Sequence, residues 1–166
     1  MPRKWQPREM QMVSEYLVKF YPAAPFRTRV RLGQLHPSLQ PELLDSADAA
    51  FAGVWRRWAD ALVILKDQLI LIEAAILADP GDISKLILYK SLLPHTPELS
   101  EYINYNIEMQ LVYAIEDPLI VTLARASGIK PVFFQPDWIA EYIKTLMPSK
   151  QKASLTYPLP ETKQGS

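Results

Sequence analysis

Leu69-Ile70-Leu71-Ile72-Glu73-Ala74-Ala75-Ile76 is the stretch on which the fold turns. Apart from Glu73 it is wholly apolar. Lys66-Asp67-Gln68 bounds it on one side and Asp79-Pro80-Gly81 on the other. A short apolar run between turn residues reads as a strand buried on both faces, hence central in a sheet. A carboxylate in such a strand costs several kcal/mol, roughly, or is forced to take a proton. Glu73 is therefore tolerated because it is paired, lies at a strand end, or does work. Alternation puts Leu71, Glu73 and Ala75 on one face.

Trp58 to Leu65 is also apolar and β-leaning, so the two runs predict a hairpin turned at Lys66-Asp67-Gln68. Asp60, Leu62 and Ile64 share a face of the first strand, and the turn can bring Asp60 beside Glu73. Two acids on adjacent strands are what a divalent cation needs, and oxygen ligands point to Mg2+ or Mn2+. The competing reading sets Asp60 at the solvent end of its strand and neutralises Glu73 with Arg29, Arg31 or Arg57.

Outward from the hairpin, Met10, Val13, Leu17 and Phe20 recur at helical spacing and predict a helix over 7–20. Phe26 to Leu32 alternates, with Arg27, Arg29 and Arg31 on one side and Thr28, Val30 and Leu32 on the other. Residues 33–50 read as a proline-punctuated loop with a short helix. Asp82 is taken as the N-cap of a helix to about Leu93, with Ile83, Leu86, Ile87, Lys90 and Leu93 on one stripe. Residues 98–106 read as irregular or briefly helical. A strand over 108–115, a helix over 118–127 stopped by Gly128, a strand over 131–134 and a last helix capped by Asp137 follow. The expected class is α/β: a single domain over residues 1–147 with a mixed central sheet flanked by helices, in the order αβββαβαβα. Residues 148–166 are polar, contain Pro158 and Pro160, and read as a tail or docking arm.

The bulk composition narrows the function. The chain has 166 residues and a formal net charge of zero, so any attraction to nucleic acid comes from a local patch. Cysteine is absent, which removes thiolate chemistry, and the two histidines, His36 and His95, stand far apart in the chain. The N-terminus leads into no apolar signal region, and a soluble protein without membrane contact is expected. Residues 61–78 mimic a membrane span. Charges at Lys66, Asp67 and Glu73 would each cost roughly 2.5–3.5 kcal/mol at a bilayer centre, and the hairpin explains the stretch better.

The strand Trp58-Ala59-Asp60-Ala61-Leu62-Val63-Ile64, the turn, and Leu71-Ile72-Glu73-Ala74-Ala75 together resemble the core of the PD-(D/E)XK, or restriction-endonuclease-like, nuclease superfamily. The element order read above matches that family's core from Pro7 to Phe134. Lys85-Leu86-Ile87-Leu88-Tyr89 resembles the Gln-X-X-X-Tyr helix motif of its RecB-like branch, with Lys85 where the motif has Gln. The resemblance implies a metal site at Asp60 and Glu73 and a lysine two residues after the Glu. Here that position is Ala75, which has neither donor nor charge. Lys85 is the candidate replacement, Lys90 a second one, and Glu15 stands where some members carry an additional acid.

Three functions follow as expectations. A degenerate, non-catalytic nuclease-fold module would act through protein or DNA contacts in a phage-type DNA-handling or virion assembly, with protein partners or copies of itself. An active Mg2+-dependent deoxyribonuclease would use Asp60, Glu73 and Lys85. An unrelated structural α/β protein would use neither. Arg27, Arg29, Arg31 and Arg57 make a candidate basic strip for nucleic acid, or a charged edge strand protected from aggregation.

Overall fold

The computed structural model describes residues 7–33 and 57–146. The loop with a short helix read over 33–50 and the tail from residue 148 lie, apart from Gly33, outside the described residues. The chain divides into two compact units, residues 1–135 and 136–166.

In the first unit, helix α1 (Pro7–Phe20) leads into β1 (Phe26–Leu32), β2 (Arg57–Leu65) and β3 (Gln68–Leu77). Helix α2 (Pro80–Leu92), two 3-10 turns, β4 (Asn106–Ile115), helix α3 (Pro118–Ala126) and β5 (Ile129–Phe133) follow. The five strands form one sheet in the order β1-β2-β3-β4-β5. The first three are antiparallel neighbours, and β3-β4 and β4-β5 are parallel. This is the mixed sheet flanked by helices that the sequence predicts. The parallel pairs need crossovers, which α2 and α3 supply on one face. The second unit carries helix α4 (Ile139–Leu146), preceded by a turn at residues 137–138 and tied by a Glu141–Lys144 ion pair.

The hairpin is as its sequence demands. Asp67 takes φ 59° in the turn, a left-handed conformation that Asp tolerates better than most residues. β3 is buried from Leu69 to Ile76 and sits in the middle of the sheet. Leu71, Ala75, Leu111 and Tyr113 pack with Ile83, Leu86 and Tyr89 of α2 and with Ile120, Val121 and Ala124 of α3. On the other face α1 buries Met12, Val13, Tyr16 and Leu17, and the Tyr16 hydroxyl donates to Gln110 at 2.8 Å. Among the described residues no helix is long and apolar enough to cross a membrane.

Several boundaries differ from the sequence reading. Strand β4 begins at Asn106 rather than at residue 108, and the last helix begins at Ile139, so Asp137 lies in the preceding turn and not at its N-cap. Helix α2 begins at Pro80 and its N-cap is Asp79, not Asp82. Asp79 Oδ1 accepts from the amides of Gly81 at 2.7 Å and Asp82 at 3.2 Å, while Asp82 Oδ2 accepts from the Asp79 amide at 3.0 Å. Asp82 is thus the third helical residue of a reciprocal capping box, and proline fits the first helical position. The buried stripe runs through Ile83, Leu86 and Tyr89, so Ile87 and Lys90 face solvent. Strand β5 begins earlier than expected, at Ile129, directly after Gly128 with φ 72°.

Asp79→Ala removes both capping bonds and should cost about 1–2 kcal/mol. Thermal unfolding should fall by roughly 2–8 °C, with Asp79→Asn close to the parent. An unchanged midpoint in Asp79→Ala would show that the box contributes nothing.

Candidate active site at the opening of strands β2 and β3

The β2-β3 ladder starts at the turn, where Leu65 pairs Gln68, and its last pair is Ala61 with Ile72. β3 continues beside β4 as far as the Leu77–Ile115 pair. Past Ile72 the edge of β3 facing β2 therefore has backbone donors that β2 no longer serves, and buried donors demand partners. Carboxylates supply them. Asp60 Oδ2 accepts from the Ala74 amide at 2.9 Å, and Glu9 Oε1 of α1 accepts from the Ile76 amide in a longer contact of 3.4 Å. Asp60 is thereby fixed beside Glu73, at the point where the two strands part.

Glu73 points to the α2 side and is 3% exposed. Among the described residues it is paired by a lysine, not by Arg29, Arg31 or Arg57 as in the competing reading. Lys85 Nζ donates to Glu73 Oε1 at 2.6 Å and to Asp82 Oδ1 at 2.7 Å. Asp82 is itself buried, at 1% exposure. It serves the helix cap with one oxygen and the lysine with the other. Lys85 reaches Glu73 because it stands in the second turn of a helix that crosses back over β3. The motif position on the strand, Ala75, is fully buried and offers no polar atom.

Charge in the site is held tightly. Burial, and then the neighbouring Asp60, push the Glu73 carboxyl up to about 8, against the pull of Lys85. Burial alone would lower Lys85, but the Glu73 and Asp82 carboxylates outweigh it and raise its ammonium above the ordinary lysine range. Both directions say that the cluster retains protons. Tyr89, one turn beyond Lys85, is buried, and burial together with Glu73 raises its hydroxyl to about 12. It stays a neutral phenol.

The structure thus brings Asp60, Glu73, Lys85 and Tyr89 into one neighbourhood. Lys90 is exposed on α2. Glu15 is half-buried on α1 and accepts from Gln11 Nε2 at 3.0 Å. The helix acid found at the edge of β3 is Glu9, which nothing in the sequence singled out. Asp82 has a second role beyond the cap, and an acid three residues before Lys85 on the same helix face is the sequence signal for it. Arg27, Arg29, Arg31 and Arg57 are exposed on β1 and β2.

The donors fit a hard cation modestly. Asp60 and Glu73 supply oxygen ligands, and in a strand the N–H and C=O of one residue leave on the same edge, so the Ala74 carbonyl opens toward Asp60 too. Among the described residues no group of three or more His, Cys, Asp or Glu side chains is arranged to hold a metal ion. One or two carboxylates, with waters and substrate phosphates, is the usual protein share for Mg2+.

No family model matches the chain, and no curated protein matches it. Among solved structures, a protein from Vibrio cholerae matches over 82% of this chain and 31% of its own, at 16% identity and a TM-score of 0.44. A repair endonuclease from Pyrococcus abyssi matches over 82% of this chain and 50% of its own, at 14% identity and a TM-score of 0.45. The chain spans half or less of the length of either protein. At these scores neither likeness carries weight for function.

The raised Glu73 carboxyl has a signed consequence. A group whose folded pKa lies above its unfolded value stabilises fully below the unfolded value, here near 4.5, and that contribution is lost as pH rises through about 8. Glu73→Gln keeps a neutral side chain at every pH. Its stability should gain on the parent between pH 5 and pH 9, by on the order of 1 kcal/mol or more, measured by denaturant unfolding. A variant that loses ground to the parent as pH rises would show that the folded state favours the charged carboxylate.

Proposed function

We propose that the chain is a metal-dependent phosphodiester hydrolase of the PD-(D/E)XK type, acting on DNA, in which Lys85 of α2 replaces the missing strand lysine. One observation carries this reading: Lys85 Nζ lies 2.6 Å from Glu73 Oε1, so the ammonium that Ala75 lacks is delivered to the same acid from the helix. The element order, the Asp60–Glu73 pair on adjacent strands and the Lys85/Tyr89 spacing support it.

In this reading Asp60 and Glu73 hold Mg2+ or Mn2+, which supplies Lewis-acid stabilisation and an activated water when bound. The chain's own groups do the rest. Lys85 gives up one of its carboxylate contacts and faces the phosphoryl oxygens, where a positive donor stabilises developing charge. Asp82 keeps the lysine charged and aimed, because its own carboxylate is locked by the helix cap. Asp60 keeps the mouth of the site open by replacing a strand–strand bond with a side-chain one. Tyr89, four residues after Lys85 on α2, stays a neutral phenol near the site. To hold a cation, Glu73 would give up the proton that burial keeps on it, so occupancy of the site would rise with pH.

A second reading keeps the fold and drops the chemistry: a non-catalytic module of a DNA-handling or virion-type assembly, joined to protein partners or to copies of itself. The emptied motif position, Ala75, is the observation that favours it. An unrelated structural role is the third.

Incubation of single- and double-stranded DNA with the full chain and Mg2+ or Mn2+ separates these readings. Metal-dependent cleavage is expected, with Asp60→Asn, Glu73→Gln and Lys85→Met each lowering the rate by roughly a hundredfold or more. Returning the lysine to the strand, in Ala75→Lys combined with Lys85→Ala, should recover part of that loss. Folded protein without cleavage under either metal supports the non-catalytic module, and cleavage indifferent to Lys85→Met contradicts the relocated lysine.

A further inference from the structure

The chain is electrically neutral overall, yet Arg27, Arg29, Arg31 and Arg57 are all exposed on the β1-β2 edge of the sheet. Among the described residues none of the four joins the ion pairs, whose cations are Lys85, Lys130 and Lys144. Two of them are organised by an aromatic ring instead. Trp58 is 38% exposed and pairs with Arg31 across the ladder. The Arg31 guanidinium carbon lies 4.7 Å from the Trp58 ring centroid, and that of Arg29 lies 5.7 Å away.

Arg29 reaches that position from a left-handed backbone, φ 51°, in the middle of a strand. For a residue with a Cβ that conformation costs roughly 1–2 kcal/mol. The pairs on either side, Thr28 with Ala61 and Val30 with Ala59, hold it in place. Edge protection against aggregation accounts for arginines on an outer strand. It does not call for a tryptophan between two of them or for a strained residue.

A cation–π contact differs from an ion pair in what it leaves over. The ring takes the flat face of the guanidinium, and the N–H donors around its rim stay available for oxygen anions. The ring also limits the rotamers of two long side chains, so less entropy is lost when an anion arrives. Arg29 and Arg31 stand two residues apart on β1, roughly 7 Å. Held to one ring, the two guanidiniums present separate donor sets, one for each of two successive charges on a polymer.

The strip also leads somewhere. Trp58 is two residues from Asp60 along β2, again roughly 7 Å. Arg57 pairs with Leu32, which packs on the α2 side, so it lies on the face that carries Glu73 and Lys85, while Arg31 and Trp58 lie on the opposite face. The positive strip wraps the edge of the sheet.

We propose that Arg29 and Arg31, steadied by Trp58, clamp successive phosphates of a single nucleic-acid strand along the β1-β2 edge, round which it reaches Asp60, Glu73 and Lys85. The destination rests on the hydrolase reading; the binding does not. Phosphodiester backbones are the ligand class, Arg27 and Arg57 extend the track, and Trp58 acts as a positioning residue.

The test is fluorescence anisotropy of a labelled single-stranded oligothymidylate with the full chain in EDTA, so that no cleavage intervenes, over a range of salt. Arg29→Ala combined with Arg31→Ala should weaken binding by roughly tenfold or more and flatten the plot of log K against log salt by about 1.4, the share of two phosphates on a single strand. Trp58→Ala removes no charge, so it should lower affinity with the slope kept, and Trp58→Phe should recover most of the loss. Arg29→Lys combined with Arg31→Lys, which preserves charge if the alanine pair unfolds, should keep the slope and lose affinity. An unchanged affinity and slope in the double alanine variant overturns the clamp. So does competition by inorganic phosphate or heparin as effective as that by DNA. Binding that follows these variants in a protein that never cleaves would sink the hydrolase and leave the clamp; cleavage with indifferent binding would do the reverse.

Discussion

A carboxylate sits in the most apolar strand of the sheet, and the surrounding structure is arranged around that fact. Glu73 is almost fully buried, flanked by Leu71 and Ala75 on its own face, with Leu111 across the ladder. Removing such a group from water is unfavourable unless charge and hydrogen bonds are returned to it. Lys85 returns both at 2.6 Å, and Asp82 in turn holds Lys85. The cap of α2, the position of that helix over β3 and the protonation of Glu73 are parts of one arrangement. Loosening any of them exposes the same cost.

The second constraint is the unserved edge of β3. Where β2 departs, a continuous ladder would have buried the strand's donors against backbone; instead two side chains, Asp60 and Glu9, take them. Acids used this way concentrate negative potential at one point, and Asp60 adds to the burial that chiefly holds the Glu73 carboxyl above the ordinary range. Burial and the neighbouring acid together hold a proton on Glu73, and under the hydrolase reading a cation would take that proton's place.

Much of this was legible in the residues. The apolar run from Leu69 to Ile76, the turn residues before it and the Pro-Gly break after it fixed a central strand and its hairpin, because burial on both faces leaves no other use for such a run. Glu73 stood out as the one residue there with no business being charged, and the spacing along β2 put Asp60 on the right strand. Lys85 as its partner needed the family resemblance, since a helix lysine is ordinarily solvated. The cap was misplaced by three residues because Asp82 also has cap chemistry; the Asp79-Pro80 pair, with Asp82 at the third helical position, held the better signal. Glu9 left no signal at all, because which turn of α1 meets β3 is set by packing across the sheet. Ile87 and Lys90 lie off the buried stripe of α2, because helical spacing alone does not say how wide a face the sheet covers. The Trp58 arrangement was equally invisible: a ladder register and a left-handed residue put the two arginines over one ring.

The central claim is that Asp60 and Glu73 form one cation site served by a lysine from the neighbouring helix. Crystals of the full chain soaked with Mn2+ at neutral to mildly alkaline pH test it most directly, read out by anomalous scattering at the manganese edge. The account predicts one peak bounded by the Asp60 and Glu73 carboxylates, with Lys85 still in the site and withdrawn from Glu73. An absence of density there, with Lys85 still clasped to Glu73, would contradict it.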